Sequence, residues 1–151
     1  MVLAKQIIES MEQWAPPHYA ESWDNVGLMV GAKQRNVSKI VTTLDITPEV
    51  IEYAIVERAQ MIISHHPFIF KGLKSLNLDS SQGKLIEKLI KNDIVVYSAH
   101  TNLDITTGGL NDMLANRLGL TNIRGFVPTG SDVVYKINEY SCVDTKKLDK
   151  I

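Results

Sequence analysis

Apolar and polar positions follow two different periods along this chain. In residues 3–14, Leu3, Ile7, Ile8, Met11 and Trp14 are separated by polar and charged residues, the spacing of an amphipathic helix that Pro16-Pro17 ends. Residues 21–31 pass from a loop into a short strand at 28–30, with Asn25, Gly27 and Gly31 marking tight turns. A β-branched run at 39–44 predicts a strand. After it, Thr47 suits an N-cap, Pro48 the first helical position and Glu49 the positive end of the helix dipole. That helix runs to Ala59 with Val50/Ile51 and Ala54/Ile55 inward. Residues 61–64 form a second strand, 82–92 a second helix with Leu85/Ile86 and Leu89/Ile90 inward, and 94–98 a third strand. A third helix is expected over 109–118, burying Leu110, Met113, Leu114 and Leu118. The segment 67–81 is too long for a plain connector, which marks it as a candidate functional loop.

Strand and helix alternate three times, so the expected class is α/β: an open, mainly parallel sheet of βαβ units with flanking helices and right-handed crossovers. The tail breaks this rhythm. Residues 119–130 read as loop, 133–142 as one more strand and 144–151 as a helix that has only begun. The expected division is therefore a lobe over 1–130 and the start of a second, truncated lobe over 131–151, as in a fragment of a longer chain.

Composition narrows the class further. The 151 residues are 44% hydrophobic and 22% charged with a net charge of -1, an ordinary globular balance without the basic excess of a nucleic-acid binder or a polybasic membrane patch. No apolar run approaches the ~20 residues that cross a bilayer. A single cysteine, Cys142, excludes an intrachain disulfide framework. The expected location is cytoplasmic. No GxGxxG, Walker loop or GxSxG is present to suggest a nucleotide cradle or a serine hydrolase.

Candidate chemistry gathers where strands end. In an open parallel sheet, ligands bind beyond the carboxyl ends of the strands. Asp45 follows the first of these strands, His65-His66 the second, and His100 with Asp104 the third. Imidazole and carboxylate together suit zinc, iron or manganese. Adjacent residues of an extended strand point to opposite faces, and Pro67 keeps His66 extended, so His65 and His66 are not expected to converge on one ion. Two ions, one per histidine with Asp104 as bridge, would resolve this, and such a pair can activate water and clamp an oxyanion or phosphoryl group. Simpler readings stand beside each residue. The histidine pair can cap a strand, Asp104 can close a turn before Gly108-Gly109, and Asp45 can be structural ahead of an N-cap. His100 can orient a ligand or merely bond its loop, and Lys71 and Lys74 can be solvated rather than anion-binding.

Four segments occur in order: Glu21-Ser22-Trp23-Asp24-Asn25-Val26-Gly27-Leu28, Leu44-Asp45-Ile46-Thr47-Pro48-Glu49-Val50, Ile62-Ile63-Ser64-His65-His66-Pro67 and Tyr97-Ser98-Ala99-His100-Thr101-Asn102-Leu103-Asp104. Together they resemble the amino-terminal half of the GTP cyclohydrolase 1 type 2-like family, also called the Nif-three-like proteins. The resemblance implies a two-lobed α/β protein with a dinuclear metal centre and assembly as a toroidal homohexamer. It maps the metal ligands onto His65, His66 and Asp104. The family completes its site with a histidine and a glutamate near the carboxyl terminus of a longer chain. No histidine follows His100 here, so a half-site is expected. The implied activity is a metal-dependent hydrolase acting on a nucleotide or phosphorylated small molecule. A non-catalytic metal-binding or regulatory scaffold forming a ring is the alternative.

Overall fold

The computed structural model of the chain describes residues 1–129 and 134–142. The chain begins with β1 (Val2–Leu3) and α1 (Ala4–Trp14), followed by β2 (Gly27–Val30), β3 (Asn36–Val37), β4 (Ile40–Thr43), α2 (Pro48–Val56) and β5 (Met61–Ser64). After them come α3 (Ser81–Lys91), β6 (Val95–Ser98), α4 (Thr101–Ile105), α5 (Leu110–Leu118), β7 (Leu120–Thr129) and β8 (Val134–Cys142). The central sheet has the order β2-β6-β5-β4. Strands β4, β5 and β6 are parallel and in register, Thr43 beside Ser64 and Ser64 beside Ser98. The edge strand β2 runs antiparallel to β6, pairing Gly27 with Ser98.

The expected α/β class with a mainly parallel sheet is what forms, and local chemistry explains its helices. Thr47 caps α2 through its hydroxyl, which accepts from Val50 N–H at 3.3 Å, and Pro48 occupies the first turn. Ser80 caps α3 in the same way, accepting from Gly83 N–H at 3.0 Å. Both faces of the sheet are covered. Ile62 and Val96 pack with Ile51, Ala54 and Leu89 of α2 and α3, while Met61, Val95 and Tyr97 pack with Ala4 and Ile8 of α1. All four residues of β6 are buried, as expected for a strand flanked on both sides and both faces.

Three local expectations are corrected. In α5 the buried residue is Ala115, and Leu110, Met113 and Leu114 lie exposed. In α3, Ile86 and Leu89 face the core but Ile90 is exposed. Apolar residues on a short helix outnumber the positions its packed face can hold, and the pattern does not say which ones lose. The stretch expected as loop over 119–130 contains β7, paired antiparallel with β8 from Leu120 opposite Cys142 to Thr129 opposite Val134. Its glycine and proline content hid a strand that is stabilised by a partner rather than by its own propensity. The helix expected over 144–151 lies outside the described residues. Among the described residues, no helix is long and apolar enough to cross a membrane.

Candidate metal centre

Two serines end the central strands. Ser64 and Ser98 are buried and their hydroxyls bond at 2.8 Å. Ser64 Oγ spends its one proton on the His66 carbonyl at 2.9 Å, so Ser98 is the donor between them. This ties β5 to β6 at the edge and bends the chain immediately after β5. His65 follows β5, His100 follows β6 as the N-cap of α4, and Asp104 sits within α4. Because β2 runs antiparallel, its amino end reaches this same edge, which brings the loop carrying Asp24 beside His100.

The three imidazoles converge. His65, His66 and His100 each offer one ligand nitrogen, all within 4.8 Å of one another. Ring centroids are 5.2 Å apart for His65 and His66, 5.0 Å for His65 and His100, and 5.6 Å for His66 and His100. The expected divergence of the two neighbouring histidines is therefore corrected. Opposite-face geometry belongs to a pleated strand, and β5 stops at Ser64, so residues 65 and 66 lie in a bend.

Each Nδ1 has an oxygen acceptor. His65 Nδ1 bonds the Ala99 carbonyl at 3.0 Å, His66 Nδ1 the Asp45 carboxylate at 2.7 Å and His100 Nδ1 the Asp24 carboxylate at 2.9 Å. An acceptor at Nδ1 fixes the proton there and leaves the Nε2 lone pair free to bind a cation. Three rings oriented this way form a donor set that fits a divalent metal ion.

Asp24 is the buried anchor of this arrangement, its side chain 0% exposed. Its carboxylate accepts from Asn25 N–H at 2.8 Å, His100 Nδ1, Thr101 N–H at 3.1 Å and Thr101 Oγ1 at 2.5 Å. Burial pushes this carboxyl upward, but the bonds from His100, Thr101 and Asn25 together hold it below its ordinary value. Asp104 behaves in the opposite way. Burial pushes its carboxyl above the ordinary value, the Asp24 charge adds to the rise, and the His65, His100 and His66 imidazoles oppose it. Its Oδ1 lies 3.7 Å from His65 Nε2. A half-buried carboxylate that is hard to ionise beside free imidazole nitrogens gains from a bound cation.

The structure brings His65 and His66 together with His100, and Asp104, the third residue expected as a ligand, lies beside them with its Oδ1 3.7 Å from His65 Nε2. Asp45, open to a purely structural reading, orients His66. Among the described residues the Asp104 carboxylate makes no hydrogen bond to the backbone, while its N–H bonds the His100 carbonyl at 3.1 Å within α4, so the side chain closes no turn. Lys71 and Lys74 are exposed in the 67–80 segment and form no ion pair among the described residues. Asp24 was missed as a site residue. The available signal was Trp23-Asp24-Asn25 ahead of a strand, which becomes informative only once that strand is known to be antiparallel.

Comparison with known proteins supplies the context. The profile of the Duf34/NIF3 (NGG1p interacting factor 3) family matches residues 2–148. The chain is 42% identical over 131 residues to a protein of Halalkalibacterium halodurans named GTP cyclohydrolase 1 type 2 homolog, covering 87% of this chain and 35% of that one. The Bacillus subtilis protein of the same name is 42% identical over 139 residues, covering 92% and 37%. This chain therefore spans little more than a third of the length of these relatives. Among solved structures, a Bacillus cereus protein related to NIF3 superposes with TM-score 0.79 at 45% identity, over 85% of this chain and 35% of that one. Reduced HcgD from Methanocaldococcus jannaschii superposes with TM-score 0.75 at 38% identity, over 82% and 50%.

Proposed function

We propose, from the premise that the chain belongs to the Duf34/NIF3 family, that this edge of the sheet holds two divalent metal ions in a hydrolase-like site for a nucleotide or another phosphorylated small molecule. The observation that carries the reading is the convergence of three imidazoles with every Nδ1 already engaged. Fixed oxygens hold the three Nδ1 atoms while the rings bring one ligand nitrogen each to within 4.8 Å of one another. His65, His66 and Asp104 would hold the ions, with His100 as a third imidazole donor. Bound ions there would supply Lewis-acid charge and acidify water. The protein's own part is to hold the rings in the Nδ1–H tautomer through the Ala99 carbonyl, Asp45 and Asp24. It also keeps Asp104 in a half-buried position where its charge is best satisfied by a cation. Names of the relatives support the nucleotide reading, and assembly into a ring and completion of the ligand set by a second lobe belong to the same proposal.

The test is metal content and turnover measured together. The chain is loaded with zinc or manganese, dialysed and assayed by plasma mass spectrometry, and nucleotides are screened for hydrolysis. His65→Ala is expected to lose bound metal and any hydrolysis with it. Metal content unchanged by that substitution would refute the site, and metal lost with turnover unchanged would sink the hydrolase reading and leave a metal-binding scaffold.

A further inference from the structure

We infer that Trp23 and Phe70 form the platform that receives a planar aromatic ring of the ligand whose other end reaches the histidine cluster. This rests on the metal-site reading for the position of the reacting end, while the ring-binding claim stands on its own observations. Trp23 is 58% exposed and Phe70 45% exposed, yet their rings lie 6.1 Å apart, and Trp23 meets His100 edge-on at 6.2 Å.

Neither ring is exposed because its backbone is loose. Trp23 is followed directly by Asp24, whose buried carboxylate takes four hydrogen bonds. Phe70 is preceded by Phe68 and Ile69, which pack against the core between the sheet and helices α2 and α3. The two segments are joined by Asn25 Nδ2, which donates to the Ile69 carbonyl at 2.5 Å. Two large apolar rings are thus held in water at the rim of the site by anchored neighbours, where burial would otherwise be the favourable fate of such side chains.

The geometry also states how a ring would fit. The Trp23 and Phe70 planes are inclined by 60°, so no ring enters between them as in a sandwich. They form an open corner instead. A planar ring can stack on one and meet the other edge-on, both of which are favourable aromatic contacts. Stacking of this kind tolerates many heterocycles because every one has a π-face.

The experiment compares guanosine 5′-monophosphate with ribose 5-phosphate, which share sugar and phosphate and differ by the ring. Affinities are measured by calorimetry on zinc-loaded and metal-free protein. Emission of Trp23 is followed in a Trp14→Phe background, since Trp14 and Trp23 are the two tryptophans. The ring-bearing ligand is expected to bind about tenfold or more tightly, the size of one stacked ring, and to quench Trp23. Trp23→Ala and, separately, Phe70→Ala should erase that preference while leaving zinc content unchanged, and Trp23→Phe should restore part of it. Equal affinities in both the loaded and metal-free forms overturn the proposal, as does a preference that survives Trp23→Ala. A Trp23 emission already shielded in ligand-free protein, and released when Phe70→Ala or dilution dissociates an oligomer, also overturns it by assigning the pair to a contact between chains. Loss of zinc binding in the parent protein would instead count against the metal site and leave the ring comparison in the metal-free form decisive.

Discussion

Replacing Asp24 with alanine tests the organisation of the cluster most directly. The carboxylate is fully buried and accepts four hydrogen bonds, one of which fixes the His100 tautomer. Asp24→Ala leaves Asn25 N–H, Thr101 N–H and His100 Nδ1 without their acceptor, while the Thr101 hydroxyl can turn elsewhere. Each buried donor left unsatisfied costs about 1–3 kcal/mol, and water entering the space would recover part of this, so a loss of about 2–4 kcal/mol is expected in urea unfolding. The freed imidazole can also take the Nε2–H tautomer and rotate away from its neighbours. Loss of an orienting partner of this kind costs about 10–100-fold in metal affinity. Titration calorimetry with zinc measures that loss. Combining Asp24→Ala with His100→Ala provides the mechanism, because a residue acting through His100 has little left to remove once the imidazole is gone. Zinc affinity within twofold of wild type in Asp24→Ala would refute the reasoning, and so would full additivity in the double variant. The pH dependence has a definite sign. The folded carboxyl titrates below its ordinary value of 3.8, so its stabilisation is complete above that value and is lost as the pH falls through the folded one. The stability gap between wild type and Asp24→Ala should therefore be widest at neutral pH and close in strong acid.

Two further substitutions probe the frame around the site. At Gly109, an added Cβ would overlap the Leu103 carbonyl oxygen and lie 2.7 Å from that of Thr106, both backbone atoms at the end of α4. Gly109→Ala should cost about 1–3 kcal/mol by thermal unfolding and weaken zinc binding by displacing the helix that carries Asp104; an unchanged melting temperature would show that the loop yields freely. Tyr97 is fully buried in the sheet, its hydroxyl has no hydrogen-bond partner among the described residues, and burial, aided by the Glu12 charge, pushes its pKa up to about 12. Tyr97→Phe should leave stability unchanged or raise it by about 1 kcal/mol in urea unfolding, and a clear loss would reveal a partner for that hydroxyl.

Much of this protein is legible in its sequence because local rules act there. The strand runs at 39–44, 61–64 and 94–98, the cap Thr47 and the Pro48 helix start are short-range signals, and they specify the parallel core. Parallel order in turn puts Asp45, His65-His66 and His100 on one edge, since residues after the carboxyl ends of neighbouring strands meet there whatever their separation in the chain. Tertiary structure decided the rest. Whether two adjacent histidines diverge or converge depended on where β5 stops and on the serine bond that bends the chain after it. The choice of proton on each ring depended on acceptors 21, 34 and 76 positions away. Asp24 entered the site only because β2 pairs antiparallel with β6, a choice of partner and direction that no run of residues in β2 encodes. In the same way, Leu110, Met113 and Leu114 carry the pattern of a core face and remain exposed, because burial is set by what stands opposite a helix and not by its own periodicity.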